Sequence, residues 1–162
     1  EMCIRDRVPV LAPGSSPLRI LHMSDLHLLA RQKAKRKFIR QLATLNPDLV
    51  INTGDNFCSA DSLQPLLDDM SELLQRPGAF VFGSNDYLVP GFKNPLSYLL
   101  SGRSHQADKP VPELPHEELR QAFTSAGWLD LNDKSATLEV TGRRLAFRGT
   151  DDAHHNLSLI HI

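Results

Sequence analysis

Long apolar runs are missing from these 162 residues. None approaches the ~18 residues that a membrane span requires. Charge of one sign is missing too: 18 Lys and Arg stand against 19 Asp and Glu, a formal net charge of -1. No global field draws such a chain to nucleic acid or to anionic membranes, so an anionic substrate must be attracted locally. Cysteine is nearly absent, with Cys3 and Cys58 alone. That excludes a disulfide-stapled secreted scaffold and suits a reducing compartment. No signal peptide is readable, because "VPVLAP" is too short for an apolar h-region. These features together give a cytoplasmic expectation. Aromatics are 6% of the chain, and none interleaves the basic run "RQKAKRK" at residues 31 to 37. That run therefore reads as a solvated helix face rather than a nucleic-acid-binding patch.

What is present fits one soluble domain. Hydrophobic residues are 41% and charged residues 23%, and the length can bury a core. The two ends stand apart. "EMCIRDR" and "LSLIHI" match no element pattern beside them and resemble translated sequencing-adapter sequence. The expected limits are therefore a non-native tail at 1–7, a partial domain at 8–155 and a second non-native tail at 156–162.

Between those limits, strands and helices alternate. "LRILHMSD" (18–25) is a near-continuous apolar strand of the parallel type. Lys33 to Leu45 has Ala34, Phe38 and Leu42 at helical spacing and is stopped by Asn46-Pro47. "DLVINTGD" (48–55) is a second strand. Asp61 or Ser62 is the expected cap of a second helix, whose stripe is Leu63, Leu66, Leu67, Met70, Leu73 and Leu74. "AFVFGSND" (79–86) is a third strand. Tyr87 to Pro115 is a long loop, with a short helix at "PLSYLL". Glu117 to Ala126 is a third helix with Gly127 at its C-terminal stop. "WLDLND", "ATLEV" and "RLAFRG" follow as strands, the last two paired through a Thr141-Gly142 turn. This order predicts an α/β fold: a parallel βαβαβ sheet followed by a β-hairpin.

Ligands of open α/β sheets bind outside the carboxyl ends of the strands. The three strands end in "SDLH", "TGDN" and "FGSND". The topology thus delivers Asp25, His27, Asp55 and Asn85 to one edge. Two carboxylates, an imidazole and an amide oxygen form a mixed O/N set suited to divalent Mn, Fe, Zn or Co. Crowded carboxylates also need a cation between them. Gly54 and Gly83 beside these residues permit sharp exits and close approach. Cys58 reads as a small filler and His22 as a satisfied strand residue. His105 and His116 read as exposed.

The series Asp25-Leu26-His27, Gly54-Asp55-Asn56 and Gly83-Ser84-Asn85-Asp86 resembles the calcineurin-like metallophosphoesterase superfamily. The stretches "VFGSNDYLVPGFKNPLSYLL" and "GWLDLND...RGTDD" are similar, more narrowly, to an actinobacterial branch of it. The resemblance spans about residues 17 to 155. It implies an α/β/β/α sandwich, of which this chain carries the N-terminal portion, and a phosphate-ester substrate. It further implies hydrolysis at a dinuclear centre of two divalent metal ions. Asp25 and His27 would bind the first ion, Asp55 would bridge both, and Asn85 would bind the second. The metals would generate the attacking nucleophile and stabilise charge on phosphorus.

Two departures qualify the resemblance. The usual third motif is Gly-Asn-His-Asp/Glu, whose histidine serves the leaving group. "GSND" places Asp86 there as the catalytic candidate, acting as a general acid if its pKa is raised or orienting a ligand from behind. The downstream Gly-His-x-His group of the family is also missing. "DDAHH" (151–155) is the late cluster and reads as a surface loop. The chain as it stands is therefore expected to be inactive. Two other readings remain open. One is a phosphoesterase-like binding scaffold without turnover. The other is a doubly wound domain using Asp25 and Asp55 for one Mg²⁺, against which His27 argues because Mg²⁺ prefers oxygen.

Overall fold

The computed structural model describes residues 6–89 and 112–151. Four strands, β1 (Ile20–Met23), β2 (Leu49–Asn52), β3 (Gly78–Phe80) and β4 (Leu129–Asp130), form one sheet in the order β1-β2-β3-β4, and every pairing is parallel. Spatial order equals chain order. Because parallel crossovers are right-handed, such a sheet carries its connecting helices on one face. Those helices are α1 (Lys33–Leu42), α2 (Leu63–Met70) and α4 (His116–Ser125), with a one-turn α3 (Ser84–Tyr87) after β3.

The core lies between this sheet and the helices. Ile39 and Leu42 of α1, Leu66 and Met70 of α2, and Leu119 and Phe123 of α4 bury against Val50 and Phe80. Trp128 closes the far end, with its Nε1 donating to the Arg76 carbonyl at 3.0 Å. Gly78 makes room for it, since a Cβ there would lie 2.3 Å from the Trp128 ring. Helices α1 and α2 are also joined by charge. Asp69, with a side chain only 2% exposed, pairs with Arg36 Nε at 2.6 Å and with Arg40. Arg36, half-buried, and Arg40, exposed, thereby tie α1 to α2, and Lys35 Nζ donates to the Leu26 carbonyl at 2.7 Å.

A separate antiparallel hairpin, β5 (Ser135–Val140) and β6 (Arg143–Arg148), turns at Thr141 and Gly142. Both turn residues have positive φ, 50° and 75°, as a two-residue hairpin turn requires. The end of β6 lies over the sheet face opposite the helices. A cleft of about 280 Å³ separates them, lined by Ile51, Ala79, Val81, Leu131 and Phe147 among others.

The α/β class, the parallel sheet and the hairpin agree with the reading from sequence. Several details differ. The second helix is interrupted: a 3₁₀ turn (Ala60–Ser62) precedes α2, and Leu73 falls in another (Leu73–Gln75). Ser62 does not cap α2 with its side chain, because its Oγ accepts the Ala30 N–H at 3.0 Å instead. His116 is half-buried with its ring 4.9 Å from that of Tyr87, not exposed. "PLSYLL", His105 and most of the 87–115 loop lie outside the described residues, as do both extreme tails.

Candidate metal centre

The strands stop where the candidate ligands begin. Pairing between the first two strand ends nonetheless continues: Asp25 N donates to Gly54 O at 3.0 Å, His27 N to Asp55 O at 2.8 Å and Leu28 N to Asn56 O at 2.9 Å. The residues that bend out of the pleat are Asp25, His27 and Asp55, with φ of 53°, 42° and 56°. Non-glycine residues rarely enter this left-handed region, and Asp and His are among the more tolerant types. Strained backbone of this kind clusters at functional sites. Here it falls on the three residues that carry donor atoms.

The bends bring those donors together. One ligand atom from each of Asp25, His27 and Asp55 lies within 4.8 Å of the others. His27 Nε2 is 3.8 Å from Asp25 Oδ1 and 3.6 Å from Asp55 Oδ2. The group opens to solvent on one side: the Asp25 side chain is 68% exposed, that of His27 38% and that of Asp55 17%. Ser24 Oγ donates to Asp25 Oδ2. Asn85 joins through Asp55. Its backbone N–H donates to Asp55 Oδ1 at 3.0 Å and its amide nitrogen to Asp55 Oδ2 at 2.7 Å. As oriented, the amide donates; turning its plane by half a turn would present the oxygen.

Two glycines permit this approach. Gly54 has φ of 89°, and a Cβ on it would lie 2.1 Å from Gly83 N. A Cβ on Gly83 would lie 2.2 Å from Asp55 Oδ1. A side chain at Gly54 would meet backbone and push the two loops apart, whereas one at Gly83 would strike the Asp55 carboxylate first.

Asp86, expected from sequence either as a general acid or as a residue orienting a ligand from behind, does not lie at the opening. It is fully buried, and its carboxylate accepts the N–H groups of Asp55 (2.8 Å), Asn56 (2.7 Å) and Gly83 (3.0 Å) and the Asn56 amide (3.1 Å). Burial pushes its pKa up, against those hydrogen bonds, which favour the charged form. Its partners escaped the sequence reading. Asn56 and Asn52 are also buried. Their polar types after an apolar strand were the available signal, masked because the same types are ordinary in turns.

Cys58 sits beside the site, half-buried. Its Sγ lies 3.7 Å from His27 Nδ1. Burial pushes the thiol's pKa up, with Lys35 pulling against it. His22 is satisfied by Thr53 Oγ1 at 2.8 Å. From the late cluster, Asp151 accepts from the Tyr87 hydroxyl at 2.7 Å. Asp152, His154 and His155 lie outside the described residues.

A parallel sheet whose strand ends gather carboxylates and an imidazole at one rim defines an α/β domain with a candidate metal site. The chain belongs to the calcineurin-like phosphoesterase family, which it matches over residues 18–156. It is 32% identical over 95% of its length to a bovine (Bos taurus) transmembrane protein with metallophosphoesterase domain, covering 37% of that protein. It is also similar to the UDP-2,3-diacylglucosamine pyrophosphatase LpxG of Chlamydia muridarum, at 31% identity over 67% of this chain and 32% of the relative. The namesake from Chlamydia trachomatis is 28% identical over 76% of this chain and 46% of the relative. The chain thus spans less than half the length of these relatives. Among the described residues, no helix is long and apolar enough to cross a membrane.

Proposed function

We propose that this site binds divalent metal and that the whole protein hydrolyses phosphate esters with it. The observation that carries the reading is the convergence of Asp25, His27 and Asp55 within 4.8 Å, each on a left-handed backbone. Clustered carboxylates facing an imidazole need a cation to offset their repulsion, and an O/N donor set fits a divalent first-row ion. Bound metal supplies Lewis-acid polarisation of the phosphoryl group and a more acidic water. The chain's own residues do the rest. Asp55, least exposed of the three, would be the central ligand, shared by both ions in the dinuclear form of the proposal. Asp25 and His27 would complete the hold on one ion. Asn85 orients the Asp55 carboxylate and, with its amide turned, would offer its oxygen as a further ligand.

Asp86 has no proton-donating role in this reading, because its carboxyl is enclosed by four donors. The chlamydial relatives are named as pyrophosphatases of a diacylated sugar nucleotide, so the substrates to try include phosphoanhydrides as well as phosphodiesters. A cytoplasmic location is proposed with it, supported by the free thiol of Cys58. The deciding measurement is calorimetric titration of metal-free protein with Mn²⁺ and Co²⁺, beside Asp55→Asn. Binding that Asp55→Asn abolishes is the expected result. Equal binding, with equal Mn²⁺-dependent phosphodiester hydrolysis by the whole protein, would remove the assignment.

A further inference from the structure

We infer that Asp86 is the positioning residue of this site, acting through a buried network with Asn56 and Asn52 to hold Asp55 in its left-handed bend. The inference rests on the metal-binding reading of Asp55. Consecutive residues grip Asp55 from two sides. Asn85 holds its side chain, donating to both carboxylate oxygens. Asp86 holds its backbone, accepting the Asp55 N–H at 2.8 Å.

The network extends inward from there. Asn56 donates its amide to Asp86, and its amide oxygen accepts from Asn52 Nδ2 at 2.7 Å. The Asn52 oxygen accepts the Gly54 N–H at 2.9 Å. Asn52, Asn56 and Asp86 are 1%, 0% and 0% exposed. Every backbone N–H from Gly54 to Asn56 is thus taken by a buried side chain rather than by a sheet partner. Three backbone donors and one amide converge on Asp86, and only an acceptor with two unprotonated oxygens satisfies all of them. An asparagine in its place would set an N–H₂ against an N–H. Buried polar groups left without partners are costly, so the loop carrying Asp55 would relax and its carboxylate would leave the donor cluster.

The test uses the 162-residue chain. In the parent, amide hydrogen exchange at Asp55 and Asn56 should be slow, matching the strands rather than the exposed turns. Asp86→Asn should keep its circular dichroism and slow exchange in α4, speed exchange at Asp55 and Asn56, and weaken Co²⁺ binding by roughly 10–100-fold. The visible spectrum of bound Co²⁺ should change as well, which a merely structural residue would not cause. Asn52→Ala, whose lost side-chain hydrogen bonds go to Gly54 and Asn56 rather than to Asp55 or Asp86, should give a smaller loss of affinity in the same direction. Unchanged Co²⁺ affinity and spectrum in a folded Asp86→Asn or Asn52→Ala protein would overturn the role. So would fast exchange at Asp55 and Asn56 in the parent, whether or not either variant folds. Failure of the parent to bind Co²⁺ despite slow exchange would overturn the metal-binding reading, and the positioning role with it.

Discussion

At Gly83 a single hydrogen stands where any side chain would collide with the proposed bridging ligand. A Cβ there would lie 2.2 Å from Asp55 Oδ1. Because the two nearest atoms belong to the Asp55 side chain and the Asp55 backbone nitrogen stands off at 3.0 Å, Gly83→Ala should leave the fold intact and turn the Asp55 carboxylate away. The expected result is a loss of about tenfold or more in Mn²⁺ affinity, read by titration, with little change in the thermal midpoint. A second residue reports on pH. Burial acts to raise the pKa of Asp130, but hydrogen bonds from Lys134, Asn132 and Arg120 outweigh it and hold the carboxyl down to about 2. A carboxyl lowered on folding adds stability above its unfolded pKa, and that stability is lost as pH falls through the folded value. After allowance for solvent screening, Asp130→Asn should cost about 1 kcal/mol at neutral pH. Urea melts of the two proteins should converge as pH drops from about 4 toward 2.

Element by element, the local turn chemistry leaves one strain unrelieved. Thr141 is β-branched and sits at φ of 50° in the β5–β6 turn, a conformation that bulky residues avoid. The hairpin holds it there because Val140 pairs with Arg143, which leaves two residues to reverse the chain. Asparagine followed by glycine is the preferred pair for such a turn. Thr141→Asn should therefore stabilise the protein by about 1 kcal/mol, seen as a higher urea midpoint with an unchanged slope. Helices α1 and α2 show the opposite economy, with one buried carboxylate, Asp69, serving Arg36 and Arg40 at once.

For the whole molecule the question is how many ions the chain can hold. Asp25, His27 and Asp55, with Asn85 beside them, supply few donors for two coordination shells. The chain also spans less than half the length of its relatives. We expect Mn²⁺ titration to give fewer than two ions per chain, weakly held, and negligible turnover of a chromogenic phosphodiester by the chain alone. Two tight ions with rapid hydrolysis would show that other groups complete the centre, His154 and His155 being the first to substitute.

Much of the architecture was legible from local pattern. Apolar runs followed by polar motifs marked the strands β1, β2 and β3, and periodic stripes marked α1, α2 and α4, because a helix or strand repeats its pattern within a few residues. The rule that parallel strands deliver their carboxyl ends to one edge places Asp25, His27, Asp55 and Asn85 together from the sequence alone. Tertiary structure alone decided the inward side of that site. Asp86 meets Asp55 and Asn56 across some 30 positions of chain, and Ser62 forsakes its helix for Ala30. Cys58 comes to lie against His27. A hydrogen bond between distant residues leaves no period in the sequence. Whether a carboxylate faces water at the opening or four donors beneath it depends on how two loops close, and the hydrogen atoms of Gly54 and Gly83 let them close that far.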